Sequence, residues 1–298
     1  MSAGPRGPIG VFDSGIGGLT VYRALRRVLP AAERLIYLGD TARVPYGTRS
    51  DATVVRYALE GGRFLARHGA KAIVVACNTM SAVALEALAA DAGRPVIGVI
   101  EPGAAAACAA TRGGAVGVIG TAATVKSGAY PRAIERLRPG TKVVARACPM
   151  FVPLAEEGWV DNEVARATAR LYLGDLGGAG LDVMVLGCTH YPLLAGVIGE
   201  TLGPGVRLVD SAEATAAALS ARLAAEGLFA PGAPAAPAAA QPHAASGDPA
   251  AGGNPAAGGD PGAEDHFYVT DSSERFHEVG SRFLGRRLGR LEQVDLSE

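Results

Sequence analysis

The chain has 298 residues, longer than one ordinary domain, so two domains are expected. With 49% hydrophobic residues but only 5% aromatics, and with Gly and Ala abundant, the composition favours layered α/β packing over an aromatic-rich β sandwich. A formal net charge of −1 with no basic half leaves no electrostatic footprint for nucleic acid, and no apolar run is long and clean enough for a membrane span.

In chain order, short apolar runs alternate with helical patterns, the signature of βαβ units and parallel sheets. The first run, Pro8 to Phe12, ends at Asp13 and a Gly-rich turn. A helix follows with Val21, Leu25, Val28 and Leu29 on one face. Further strands are expected at Leu35–Leu38, Ala72–Ala76 and Val96–Ile100, then at Ala115–Ile119, Lys142–Ala147, Val183–Leu186 and Val206–Val209. A last strand, Phe267–Thr270, precedes a helix with Asp271 and Glu274 as a capping pair. Residues from about Phe229 to Ala263 form an Ala/Pro/Gly tract too poor in large apolar groups to offset its ordering entropy, and are expected to be a disordered insertion.

The two series of strands read as weak copies. Ile73–Thr79 (I-V-V-A-C-N-T) and Val183–His190 (V-M-V-L-G-C-T-H) each place a cysteine just past a buried strand, and Gly10–Arg23 similarly corresponds to Gly117–Arg132. Two pseudo-symmetric α/β domains explain this, with mostly parallel sheets flanked by helices. The expected boundaries are 1–100 with 210–298 for the first domain and 101–209 for the second. Ligands bind beyond the carboxyl ends of strands in such sheets. Two facing sheet edges would put Cys77 and Cys188 on opposite walls of an interdomain cleft.

The four cysteines, Cys77, Cys108, Cys148 and Cys188, have no CxxC spacing and no secretory signal before them, so reduced thiols and a cytoplasmic enzyme are expected. A buried Cys ordinarily only packs, and Cys108 and Cys148 are read that way. Cys77 and Cys188 differ, because each ends a strand beside polar neighbours: Asn78 and Thr79, or Thr189 and His190. A thiol titrates near pH ~8.5, so one can serve as base and the other as acid. Inverting a carbon needs one of each, on opposite faces.

Asp13 precedes Ser14-Gly15-Ile16-Gly17-Gly18. A dinucleotide fingerprint would need a third glycine where Thr20 stands, and a carboxylate at position 13 would oppose a pyrophosphate. The turn is read instead as backbone N–H groups and Ser14 holding a substrate carboxylate, with Asp13 facing an ammonium or a thiol. Zinc would need about four ligands with local spacing, and Cys77, Cys188 and His190 supply three. His190 suits proton exchange. Glu156, between prolines and apolar residues, is placed on a rigid loop that could border the cleft.

The segments Asp13-Ser14-Gly15-x-Gly17-Gly18-Leu19-Thr20-Val21, Arg43-Val44-Pro45-Tyr46-Gly47, Ala76-Cys77-Asn78-Thr79, Gly98-Val99-Ile100-Glu101-Pro102 and Leu186-Gly187-Cys188-Thr189-His190-Tyr191-Pro192-Leu193-Leu194 resemble those of the glutamate racemases, across nearly the whole chain outside the tract. The resemblance implies reversible interconversion of L- and D-glutamate without cofactor or metal, supplying D-glutamate for peptidoglycan. It implies that Cys77 takes the α-proton from the D enantiomer and Cys188 from the L enantiomer, assisted by Asp13 and His190. Ser14, Tyr46, Gly47, Asn78, Thr79 and Thr189 would hold the substrate, Glu156 would match a further acidic cleft residue, and the assembly would be a homodimer. Val44 departs from the pattern, standing where an aromatic is common. An aspartate racemase, a one-thiol lyase or decarboxylase, and a non-catalytic binding protein are the competing readings.

Overall fold

Runs of Val, Ile, Leu and Ala between glycine-rich turns become strands covered by helices on both faces. The structure, a computed structural model, describes residues 5–231 and 265–296. The first series is β1 (Ile9–Asp13), α1 (Leu19–Val28), β2 (Leu35–Gly39), α2 (Asp51–Arg67), β3 (Ala72–Val75), α3 (Asn78–Val83), α4 (Leu85–Ala92), β4 (Val96–Gly98) and α5 (Ile100–Ala110). The second is β5 (Ala115–Gly120), α6 (Ala122–Ser127), α7 (Ala129–Leu137), β6 (Val143–Ala147), α8 (Phe151–Glu156), α9 (Glu163–Leu173), β7 (Leu181–Gly187), α10 (Ala195–Leu202), β8 (Arg207–Asp210) and α11 (Ser211–Ala225). The chain ends with β9 (His266–Val269), α12 (Ser273–Leu284) and β10 (Arg290–Gln293).

These strands form two all-parallel sheets, ordered β10-β9-β2-β1-β3-β4 and β6-β5-β7-β8. The internal copy is plain in that order: β2-β1-β3-β4 matches β6-β5-β7-β8, and β9 and β10 extend the first sheet. In both, the chain's opening strand lies between its second and third, so strand order reverses there and a crevice opens beyond the carboxyl ends. Asp13 ends β1, Cys77 follows β3, and Cys188 follows β7, the strand equivalent to β3. β1, β3 and β5 are buried at every position. Among the described residues no helix is long and apolar enough to cross a membrane.

Several boundaries differ from expectation. The strand at Val96 stops at Gly98, because Ile100 already opens α5 with Pro102 in its first turn, where a missing N–H costs nothing. Glu156 closes the short helix α8 and is not on a loop; Pro153 sits early enough in α8 to be tolerated. Asp271 and Glu274 do not cap α12: Ser272 precedes the helix at φ +48° without a side-chain cap, and the backbone of Asp271 is tied to the Thr41 hydroxyl. β10 was not foreseen, since Arg290–Gln293 is a polar edge strand with only Leu291 partly covered.

Beyond its first three residues the Ala/Pro/Gly tract lies outside the described residues, and the chain is described again from Asp265. At its start, the Ala230 N–H donates to Glu33 Oε1 (2.6 Å), whose other oxygen pairs with the fully buried Lys71 ammonium (2.6 Å). After it, Asp265 accepts from Leu35 N (2.8 Å), the Tyr22 hydroxyl and Arg26 (2.8 Å). Arg26 also donates to the Glu33 carbonyl (2.6 Å), so one arginine links both ends.

Candidate active site

On the first wall, β1 delivers Asp13 into a site where it is only 1% exposed. Its Oδ2 accepts the Gly15 N–H at 2.9 Å, while Oδ1 has no partner. Burial raises its pKa, against the pull of His190 and of the Gly15 and Gly18 N–H groups. This revises the reading of the turn: two of its N–H groups serve Asp13, leaving fewer for a ligand. The Tyr37 hydroxyl donates to the Gly15 carbonyl at 2.8 Å and fixes the turn from β2.

Cys77 stands at the start of α3, buried. Burial, then the neighbouring Asp13 charge, push its thiol up to about 12; the Met80 N–H and the Ser14 hydroxyl pull the other way, and Cys188 is close enough to add to the push. At neutral pH Cys77 therefore carries its proton. Asn78 Oδ1 accepts the Tyr130 hydroxyl of α7 (2.8 Å), and its Nδ2 is buried without a partner. Thr79 Oγ1 lies 2.9 Å from Thr121 Oγ1, just past β5. The Tyr46 hydroxyl bonds the buried Asp40, so this segment can offer a ligand only backbone at Tyr46 and Gly47. Gly47 itself sits against Thr121, where a Cβ would come within 2.9 Å.

On the second wall, β7 ends at Gly187 and presents Cys188, Thr189 and His190, all buried. Cys188 Sγ lies 3.8 Å from His190 Nδ1, and His190 Nε2 lies 3.0 Å from Glu156 Oε1. Burial opposes the imidazolium, but the hydrogen bonds to Cys188 and Glu156 outweigh it and lift His190 to about 10. Burial likewise works against the Glu156 carboxylate, yet His190 and Arg275 bring it below its ordinary value. At neutral pH the ring therefore favours its protonated form.

The walls meet at the turn. Thr20 Oγ1 donates to the Thr189 carbonyl (3.2 Å), and a Cβ on Gly17 would lie 2.2 Å from Thr189 Oγ1 and 2.5 Å from the His190 ring. Asp13, Ser14, Cys77, Cys188, His190 and Glu156 are thus joined in one chain of interactions, with Asn78 and Thr79 on the Cys77 side and Thr189 on the other. Cys108 is half-buried in α5, and buried Cys148 points its thiol at the Arg146 carbonyl (3.8 Å). Sequence reading missed Tyr37, Thr121 and Tyr130. The copy relation offered one signal: matching Gly10 to Gly117 sets Thr121 opposite Ser14.

The profile of the Asp/Glu/Hydantoin racemase family matches residues 9–219. A glutamate racemase of Geobacter metallireducens is 53% identical over 288 residues, 97% of this chain and 96% of that protein. The structure of glutamate racemase from Francisella tularensis in complex with D-glutamate superposes with a TM-score of 0.83 at 35% identity, covering 98% of each chain. That of the Thermus thermophilus glutamate racemase in complex with β-chloro-D-alanine gives 0.79 at 46% identity, covering 99% of each.

Proposed function

The chain belongs to the Asp/Glu/Hydantoin racemase family, among its glutamate racemases, and from that premise we propose that it interconverts L- and D-glutamate through two opposed cysteines. The observation that carries this reading is positional: Cys77 and Cys188 follow equivalent strands of two copied sheets, both are buried, and they lie near enough for one charge to act on the other. In the L-to-D direction, Cys188 as thiolate takes the Cα proton, and the electron pair is left on a carbanion conjugated with the α-carboxylate. The Cys77 thiol, kept protonated by burial, then donates to the opposite face. The reverse direction exchanges these roles, and His190 relays protons to and from Cys188. No step draws on a group from outside the chain.

Substrate fits the groups left without partners. Asp13 Oδ1 accepts from the ammonium, and Asn78 Nδ2 donates to a carboxylate. Ser14, Thr79, Thr189 and the Tyr46–Gly47 backbone complete the cradle. Donors aimed at a carboxylate as it gains charge in a dry cleft supply what is often the largest catalytic term, and positioned thiols add about 10²–10⁴-fold. The domains, 1–100 with 210–298 and 101–209, part to release product. In this reading the enzyme works in the cytoplasm as a homodimer and feeds D-glutamate to peptidoglycan synthesis.

The test is a chirality-resolved assay in heavy water with glutamate and with aspartate. L-Glutamate is expected to yield D-glutamate labelled at Cα, with racemisation falling about 10²–10⁴-fold in both Cys77→Ser and Cys188→Ser. Turnover of aspartate alone, or a cysteine variant with full activity, refutes the proposal.

A further inference from the structure

The helix α12 comes from the far end of the chain, beyond the residue 219 at which the family profile stops matching. It packs on α1, on the side of the first sheet, yet three of its side chains converge on the Glu156–His190 pair of the second wall. Arg282 Nη1 donates to the Glu156 carbonyl at 3.0 Å, and its Nη2 is braced by Glu278 at 2.9 Å. Arg275 Nη2 lies 3.7 Å from Glu156 Oε2 and 3.6 Å from Glu157 Oε1. Phe283 sets its ring edge-on to His190, centroids 5.4 Å apart at 82°. Gly158 makes room for this: at φ +75° it lies under the Arg282 guanidinium, and a Cβ there would come within 2.9 Å of Nη1. The contacts of the Cys77 wall run elsewhere, to Ser14, Tyr130 and Thr121.

We propose that α12 is the positioning element for the Cys188 half of the reaction: Arg275, Arg282 and Phe283 hold Glu156 and His190 in line with the Cys188 sulfur, and none of them serves Cys77. The proposal rests on the two-cysteine reading above. Its physical basis is that exposed ion pairs at 3.6–3.7 Å stabilise a fold little, whereas a misplacement of about 1 Å in a proton-transferring group can cost about 10²-fold in rate. These arginines thus matter for alignment more than for stability.

Overall racemisation cannot isolate this effect. Enantiomers have equal free energy, so kcat/KM must fall equally in both directions whichever base is impaired. A one-base reaction separates the halves. With 3-chloroglutamate, the base removes the α-proton, the C–H electron pair forms the Cα–Cβ double bond and chloride departs with its own pair. The resulting enamine hydrolyses to 2-oxoglutarate and ammonium. The L configuration at Cα tests Cys188, and the D configuration tests Cys77.

In the full-length double variant R275Q/R282Q, elimination from the L form is expected to fall about 10–100-fold, with the D form serving as an internal control for folding and remaining essentially unchanged. R282K, which retains a cationic donor, should recover part of the loss, and Phe283→Leu should reproduce its direction. Equal losses on both forms, or none on either, overturn the proposal. The two-cysteine reading has its own control: Cys188→Ala must abolish only the L elimination and Cys77→Ala only the D. If those controls fail, that reading falls; if they hold and the arginine variants do not discriminate, only the role of α12 falls.

Discussion

Asp13 is buried with one carboxylate oxygen unpaired, an arrangement that stability alone would not select. Its pKa is raised, so the cost of its charge is complete above the folded value, shrinks as the pH falls below that value, and is gone below the free value of 3.8. Asp13→Asn keeps the acceptor for Gly15 and removes the charge. It should raise Tm by about 2–4 °C at pH 8, with the gain shrinking towards pH 4, while racemisation collapses; thermal melts across pH check both. Glu156 and His190 have the opposite sign. The His190 contribution is complete below its free value of 6.5 and is lost as pH rises through about 10. That of Glu156 is present above its free value of 4.5 and is lost as pH falls through its lowered one. Glu156→Gln should therefore lower Tm by about 2–4 °C at pH 8, and the difference from wild type should fade above pH 10.

Among the elements, the turn between β1 and α1 does most to join the walls. Gly17→Ala would drive a methyl group into Thr189 and His190. Activity should drop by about 10²-fold, the cost of a displaced wall, with little change in Tm, because the domain opening proposed above would relieve the clash. A fall in Tm comparable to that of a core cavity would contradict this. The same turn marks the limit of what the sequence discloses. Strands such as Ile9–Asp13 and Leu181–Gly187 were legible because parallel strands buried on both faces are continuous apolar runs. The placement of Cys77 and Cys188 just past strand ends was legible because each follows such a run beside polar residues. The carboxylate of Asp13 turning back to take the Gly15 and Gly18 N–H groups was not, since backbone direction inside a glycine-rich turn leaves no periodic trace. Nor were Tyr130 reaching Asn78, or Arg282 reaching Glu156 across 126 positions. Those contacts depend on how the two halves dock, which local pattern does not encode. β10 escaped because a charged edge strand lacks the alternation that identifies a buried one.

At the scale of the molecule, two copies of one four-strand plan face each other, and the last strands return to the first sheet to place α12 across the divide. The return passes through the buckle at Arg26, which binds the Glu33 carbonyl beside the departure point at Ala230 and the Asp265 carboxylate at re-entry. Because loop-closure entropy changes only slowly with length, by about 0.6 kcal/mol per doubling, the span between these knots should tolerate editing. Replacing residues 232–264 by a short Gly/Ser linker is expected to leave kcat/KM for glutamate unchanged, as a steady-state assay would show. By the same reasoning Arg26 makes this position a graft point: a reporter domain spliced between the two knots should fold beside the enzyme without disturbing the catalytic crevice at the opposite ends of the strands.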